Sequence, residues 1–115
     1  MDCLFCKIIN GEIPSNKVYE DDMVYAFHDI SPIAPVHFLV IPKQHISGAA
    51  AVTPENSAVI AHIFEVIAKV TKEMELEGGY RVITNNGDDA GQTVKHLHFH
   101  VIGGKQLGWS AAQGD

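Results

Sequence analysis

The sequence predicts an α+β fold, a five-stranded, largely antiparallel sheet with one long helix and a short N-terminal helix. Three observations predict it. Strand-like segments fall into two groups, one before Pro42 and one after Gly79, and do not alternate with helices. A single stretch between Thr53 and Gly78 carries an extended helical periodicity. The chain has 115 residues, 46% hydrophobic and 19% charged, enough for one core and with no Pro-, Gly- or Ser-rich linker to divide it.

Leu4 to Asn10 reads as a short helix closed by Gly11. Val18–Tyr19–Glu20 and Met23 to His28 read as strands around the acidic turn Asp21–Asp22, a hairpin. Pro32 and Pro35 mark a loop. Val36 to Ile41 is apolar and β-branched and is stopped by Pro42, which suits a buried strand. Thr53–Pro54–Glu55 starts a helix, since Thr53 can cap, Pro54 suits the first position and Glu55 complements the dipole. Ile60, Ile63, Phe64, Ile67, Val70 and Met74 then form one apolar face, and Gly78–Gly79 ends the helix. Tyr80 to Thr84 is the next strand, Asn85 to Gln92 a polar turn-rich loop, and Val94 to Ile102 the last strand before Gly103–Gly104. One long helix covers only one face of such a sheet, which leaves the other for a ligand or a second subunit.

Composition excludes several classes. A net charge of −6 argues against nucleic acid as the main partner, because phosphate-backbone binding needs clustered Lys and Arg. It still permits a small phosphorylated ligand held by backbone N–H groups and imidazoles. No apolar run approaches the ~20 residues that span a membrane. No secretory signal is visible at Met1–Asp2–Cys3, and the two cysteines, Cys3 and Cys6, are too few for a disulfide scaffold, which favours a reducing, cytoplasmic setting.

Seven histidines are the unusual feature, and His96, His98 and His100 alternate with Leu97, Phe99 and Val101. On a strand the three imidazoles share one face and the apolar residues point to the core. Three readings follow: a half-exposed strand that happens to carry histidines, a metal site built on H-x-H, or nucleophilic attack on phosphorus. Three in strict alternation beside a Gly- and Asn-rich loop weigh against the first. No G-x-x-x-x-G-K-[ST] or G-x-G-x-x-G loop is present, so a nucleoside triphosphatase is not indicated.

The run His96–Leu97–His98–Phe99–His100–Val101–Ile102 resembles the signature of the histidine-triad (HIT) superfamily. Phe27–His28–Asp29–Ile30–Ser31–Pro32, Pro35 to Lys43, Gly91–Gln92–Thr93 and Gly103–Gly104–Lys105–Gln106 with Trp109 extend the resemblance to its Hint branch, from Leu4 to Trp109. That branch consists of purine nucleoside phosphoramidases, and the resemblance implies a single HIT domain over residues 1–115 with this activity. His98 then stands at the nucleophile's position. His100 and His37 stand where the family binds phosphate or orients the nucleophile, with His37 expected close to His98. Asn85, Gly91 and Thr93 match the phosphate side, and Thr93 replaces an expected serine, keeping the hydroxyl and adding a methyl. Asp29 matches the ribose-binding acid, and Leu4, Phe5, Ile8, Phe27 and Ile30 match the purine slot. The implied ligand is a purine nucleoside monophosphate or phosphoramidate, the implied assembly a homodimer, and no organic cofactor is implied.

Cys3-x-x-Cys6 resembles a feature of some bacterial members and of related uridylyltransferases, where it pairs with two histidines. Here these are His45 and His96, a Cys₂His₂ set suited to structural zinc. The rivals within the superfamily are a dinucleoside polyphosphate hydrolase, disfavoured by the Hint-like tail, and a uridylyltransferase, disfavoured because His100 stands where Gln is usual. Outside it the rivals are a nucleotide-binding interaction module with vestigial hydrolysis, and a metalloenzyme ligated by His96, His98 and His100. After Trp109 the tail departs from the branch, with Ser110–Ala111–Ala112 in place of a proline-rich end.

Overall fold

The computed structural model describes residues 3–108, so Trp109 and the Ser110–Ala112 departure lie outside the described residues. Among the described residues two α-helices and five strands follow one another as α1 (Leu4–Ile9), β1 (Lys17–Glu20), β2 (Val24–His28), β3 (Val36–Pro42), α2 (Ser57–Glu73), β4 (Tyr80–Ile83) and β5 (Phe99–Gly103). The strands form one sheet in the order β1-β2-β3-β5-β4, and every neighbouring pair is antiparallel. This is the α+β architecture expected from the sequence.

Alternation along the central strands sorts side chains between two cores. Phe38 and Val40 of β3, with Phe99 and Val101 of β5 and Leu97 just before it, pack under Val59, Ile63, Val66, Ile67 and Val70 of α2. Leu39 and Ile41 of β3 face the other way and meet Tyr25 and Phe27 of β2 and Phe5 and Ile8 of α1. The second face is therefore covered by one and a half turns of helix, and the triad lies on that side. All three of its histidines are at most 1% exposed, so the histidine face is a second interior and not a half-exposed surface.

The boundaries differ from expectation where local hydrogen bonding overrides pattern. The last strand was expected from Val94, but its ladder begins at Phe99, opposite Val40. Pro42 ends β3 and has no N–H to offer, so the chain at His96–His98 bonds elsewhere. Leu97 N–H donates to the Ile46 carbonyl at 2.6 Å, and the Thr84 hydroxyl donates to the His98 carbonyl at 2.7 Å. Thr53–Glu55 form a turn, and α2 begins after Asn56, whose side-chain carbonyl accepts from Thr53 N–H at 2.8 Å. The helix ends at Glu73, before Gly78–Gly79, because Glu75 takes a left-handed φ of 61° and turns the chain. Phe64, expected on the buried face, is 47% exposed, whereas Val59, Val66 and Thr71 are buried. The apolar stripe is thus rotated toward Val59 and Val66.

Candidate active site

The three histidines make different hydrogen bonds, and these separate their chemistry. His98 Nδ1 lies 2.7 Å from the His96 carbonyl oxygen. A carbonyl only accepts, so Nδ1 carries a proton and, in the neutral ring, Nε2 carries the lone pair. Phe5 of α1 stands edge-on to this ring, centroids 5.1 Å apart, and also meets Phe27 at 5.5 Å. His100 stands edge-on to His98 at 5.2 Å, closer than the strand repeat of roughly 6.5–7 Å because the rings lean together. His37, on β3, reaches across the sheet so that its Nε2 lies 2.9 Å from His100 Nδ1. His37, expected close to His98, meets His100 instead, and His100 in turn stands against His98. Burial pushes the His37 pKa below the ordinary histidine value, with Asp29 opposing.

Asp29 follows β2 and folds back over this pair. One carboxylate oxygen accepts from Ser31 N–H at 2.8 Å, and the other lies 3.4 Å from His37 Nε2. Phe5, Ile8 and Phe27 are buried beside the histidines, but Leu4 is 44% exposed and Ile30 is 98% exposed. Ile30 follows Asp29 into the 29–35 loop, and here it forms no apolar wall. Asn85 is half-buried, Gly91 takes φ 82°, and Thr93 is exposed on the loop leading to His96.

Sequence reading missed Gln92 as an organising residue. It is buried within the polar loop. Its amide donates to the Ser47 and Val94 carbonyls at 2.8 and 3.0 Å, and its carbonyl accepts from Gly87 N–H at 2.8 Å. Asn86 joins the same segment by accepting from Ala50 N–H at 2.9 Å. A Cβ at Gly48 would lie 2.5 Å from the Asn86 side-chain oxygen, so a side chain there would displace that oxygen from its bond with Ala50 N–H. Gly91–Gln92–Thr93 was visible as a motif, but nothing in spacing distinguishes a buried Gln from a solvated one.

Cys3, Cys6, His45 and His96 bring their Sγ and Nδ1 atoms within 4.8 Å of one another. His45 and His96 Nδ1 are 3.2 Å apart, Cys6 Sγ is 3.4 Å from His45 Nδ1 and 3.6 Å from His96 Nδ1, and Cys3 Sγ is 3.3 Å from His96 Nδ1. A tetrahedral zinc with ordinary bond lengths needs N–N near ~3.3 Å and S–N near ~3.6 Å. His96 Nε2 lies 2.8 Å from the Pro42 carbonyl, so it carries the proton and leaves the Nδ1 lone pair for a metal, the usual support for a histidine ligand. In the protein alone, burial pushes the Cys6 thiol up to about 11, with the neighbouring Cys3 adding, and pushes His96 down to about 4. A divalent cation reverses this penalty by drawing out thiolates. The residues fit zinc.

A model of the HIT domain matches residues 10–107. The chain belongs to the HIT domain family. A HIT family hydrolase from Clostridium thermocellum superposes with a TM-score of 0.92 at 46% identity, over 96% of this chain and 97% of that one. The histidine triad nucleotide-binding protein of Candida albicans gives 0.81 at 39%, over 99% of this chain and 87% of that one. A 14 kDa zinc-binding protein of Zea mays is 44% identical over 108 residues, 92% of this chain and 84% of that one. This HIT domain therefore shares its fold with known relatives.

Proposed function

We propose that this HIT protein is a hydrolase of purine nucleoside 5′-phosphoramidates. The observation that carries this reading is the His98 Nδ1 contact to the His96 carbonyl, which leaves Nε2 as a lone-pair nucleophile. His98 Nε2 forms a bond to the α-phosphorus, and the P–N bond breaks. The amine leaves with a proton, giving a nucleotidyl-histidine. Water then attacks phosphorus, giving up a proton that replaces the one the amine took from the histidine cluster, the His98–P bond breaks, and the nucleoside monophosphate departs. His100 and His37 stand beside the reacting centre. Asn85, Thr93 and backbone N–H groups near Gly91 serve the phosphate oxygens, where negative charge grows. Asp29 receives the ribose hydroxyls, and the purine lies against Phe5, Ile8 and Phe27, with Leu4 at the rim and Ile30 out on the exposed 29–35 loop.

The relatives named as a hydrolase and as a nucleotide-binding protein support the class. The electrostatics support a monophosphate and not a polyphosphate: Lys95, beside the phosphate loop, is tied to the Asp88 carboxylate and the Gln92 carbonyl, both at 2.6 Å. We further assign a structural zinc to Cys3, Cys6, His45 and His96, a cytoplasmic setting and a homodimer. The dimer is supported by two large exposed rings, Phe64 on α2 and Tyr80 on the edge strand β4.

Rapid quenching of the zinc-loaded protein with adenosine phosphoramidate, followed by mass spectrometry, tests the reaction. An adenylyl group on His98 is expected, and none in His98→Ala. Bound nucleotide with neither adduct nor turnover would replace the enzyme with a nucleotide-binding module.

A further inference from the structure

The loop between β2 and β3 sends one backbone N–H into the histidine cluster. Ile33 N–H donates to His37 Nδ1 at 3.2 Å. A ring nitrogen that accepts cannot carry a proton, so the proton of His37 is on Nε2. That Nε2 lies 2.9 Å from His100 Nδ1. Two N–H groups cannot face each other at this distance, so His100 Nδ1 accepts and the proton of His100 is on Nε2. His98 has the opposite arrangement, with its proton on Nδ1 against the His96 carbonyl.

We propose that the Ile33 backbone N–H is a positioning group that fixes the tautomers of His37 and His100, so that neighbouring histidines present a lone pair at His98 Nε2 and a proton at His100 Nε2. The tautomers of His37 and His100 are a property of the folded chain alone. The use of the His100 proton, held beside the phosphate where the departing amine needs one, rests on the phosphoramidase reading. The low pKa of His37 agrees, because a cationic His37 would need a second proton on Nδ1, against Ile33.

The same wiring decides which of two metal-like clusters can hold an ion. Asp29, His37 and His100 also bring donor atoms within 4.8 Å of one another. A metal on His37 Nε2 would move the ring proton to Nδ1, where it would meet the Ile33 N–H. A histidine ligand needs an acceptor behind it, as His96 has in the Pro42 carbonyl, and His37 has a donor. Ile33 thus disfavours a metal ion on His37, whereas the Pro42 carbonyl sets up His96 as a ligand.

Imidazole ¹⁵N–¹H correlation spectra of the zinc-loaded, ¹⁵N-histidine-labelled protein test the assignment directly. His37 and His100 should both give the Nε2–H pattern and His98 the Nδ1–H pattern. A proton on Nδ1 of His37 or His100 would overturn the proposal, whatever the activity. Ile33→Pro removes the N–H, and Ile33→Ala keeps it. The alanine variant should retain the wild-type pattern, and the proline variant should lose the single Nε2–H form at both rings. In the proline variant kcat should fall about tenfold or more with a smaller change in KM. A folded proline variant with an unchanged pattern would also overturn the proposal. If Ile33→Pro does not fold, the wild-type spectrum still decides. The assigned pattern in a protein that turns over no phosphoramidate would uphold the hydrogen-bond assignment and remove the phosphoramidase reading.

Discussion

At the scale of single residues, the chemistry is decided by what lies behind each ring. His96, His98 and His100 are equivalent in the sequence pattern, but their partners are the Pro42 carbonyl, the His96 carbonyl and His37. Spacing predicted a shared face for the three. It could not predict that one turns toward the thiols, because Pro42 and Ile46 capture that segment only after the chain has folded. On the proposed function, His98→Ala should lower kcat by at least about 10³-fold with nucleotide binding retained, measured by amine release and by equilibrium binding. Gln92→Ala is a different kind of lesion. It leaves the Gly87 N–H and the Ser47 and Val94 carbonyls without their side-chain partner. Each such bond contributes about 1 kcal/mol, so denaturant unfolding should show a loss of about 2–3 kcal/mol. A loss under about 0.5 kcal/mol would mean that the loop does not depend on Gln92.

At the scale of elements, the strands and the long helix were legible because burial imposes period and composition on them. Val36 to Ile41 runs through the centre of the sheet and is nearly all apolar, and α2 repeats apolar residues every three or four positions. Their ends were less legible, since ends depend on tertiary partners. Glu75 reverses the chain ahead of the two glycines, and the Pro42 terminus of β3 shortens β5. Nor does pattern reveal the clamp between the β1–β2 turn and α2. His62 Nε2 meets Asp21 at 2.6 Å, and Asp21 also accepts from Met23 N–H, Val24 N–H and the Tyr19 hydroxyl. Burial opposes ionisation of Asp21, but His62 and the other donors outweigh it and hold the carboxyl at about 2. The hydrogen bonds to Asp21 and then Glu65 raise His62 above its ordinary value. A histidine raised on folding stabilises fully below its unfolded pKa of about 6.5, and the gain is lost as pH rises through the folded value. Asp21 stays ionised across that window and adds no slope. Wild type should therefore exceed His62→Gln in unfolding free energy by up to about 1 kcal/mol at acidic pH, and by less above the folded pKa. Parallel urea titrations near pH 5.5 and near pH 8.5 would measure this, and a difference independent of pH would discount the ion pair.

At the scale of the whole molecule, the proposed zinc would join three segments that lie outside the strands of the sheet. Cys3 and Cys6 belong to the start of α1, His45 to the segment after β3, and His96 to the approach to β5. α1 has only six residues, too few to be stable alone, and it carries Phe5 and Ile8 onto the second core and Phe5 onto the His98 ring. The metal would thereby hold the apolar wall of the proposed nucleotide site without touching the proposed phosphate position. Its removal should cost stability and nucleotide affinity before it costs chemistry. A folded-state ligand at about 1,000 times its Kd adds about 4 kcal/mol, so stripping zinc or making Cys6→Ser should lower Tm by more than about 10 °C. KM should rise, while kcat at saturating nucleotide should stay within about threefold, because His98, His100 and His37 keep their own hydrogen bonds. Calorimetry and steady-state kinetics on zinc-loaded and chelated protein separate the two effects. Unchanged Tm after complete metal removal would refute the clamp. A fall in kcat with KM constant would instead place the metal at the reacting centre.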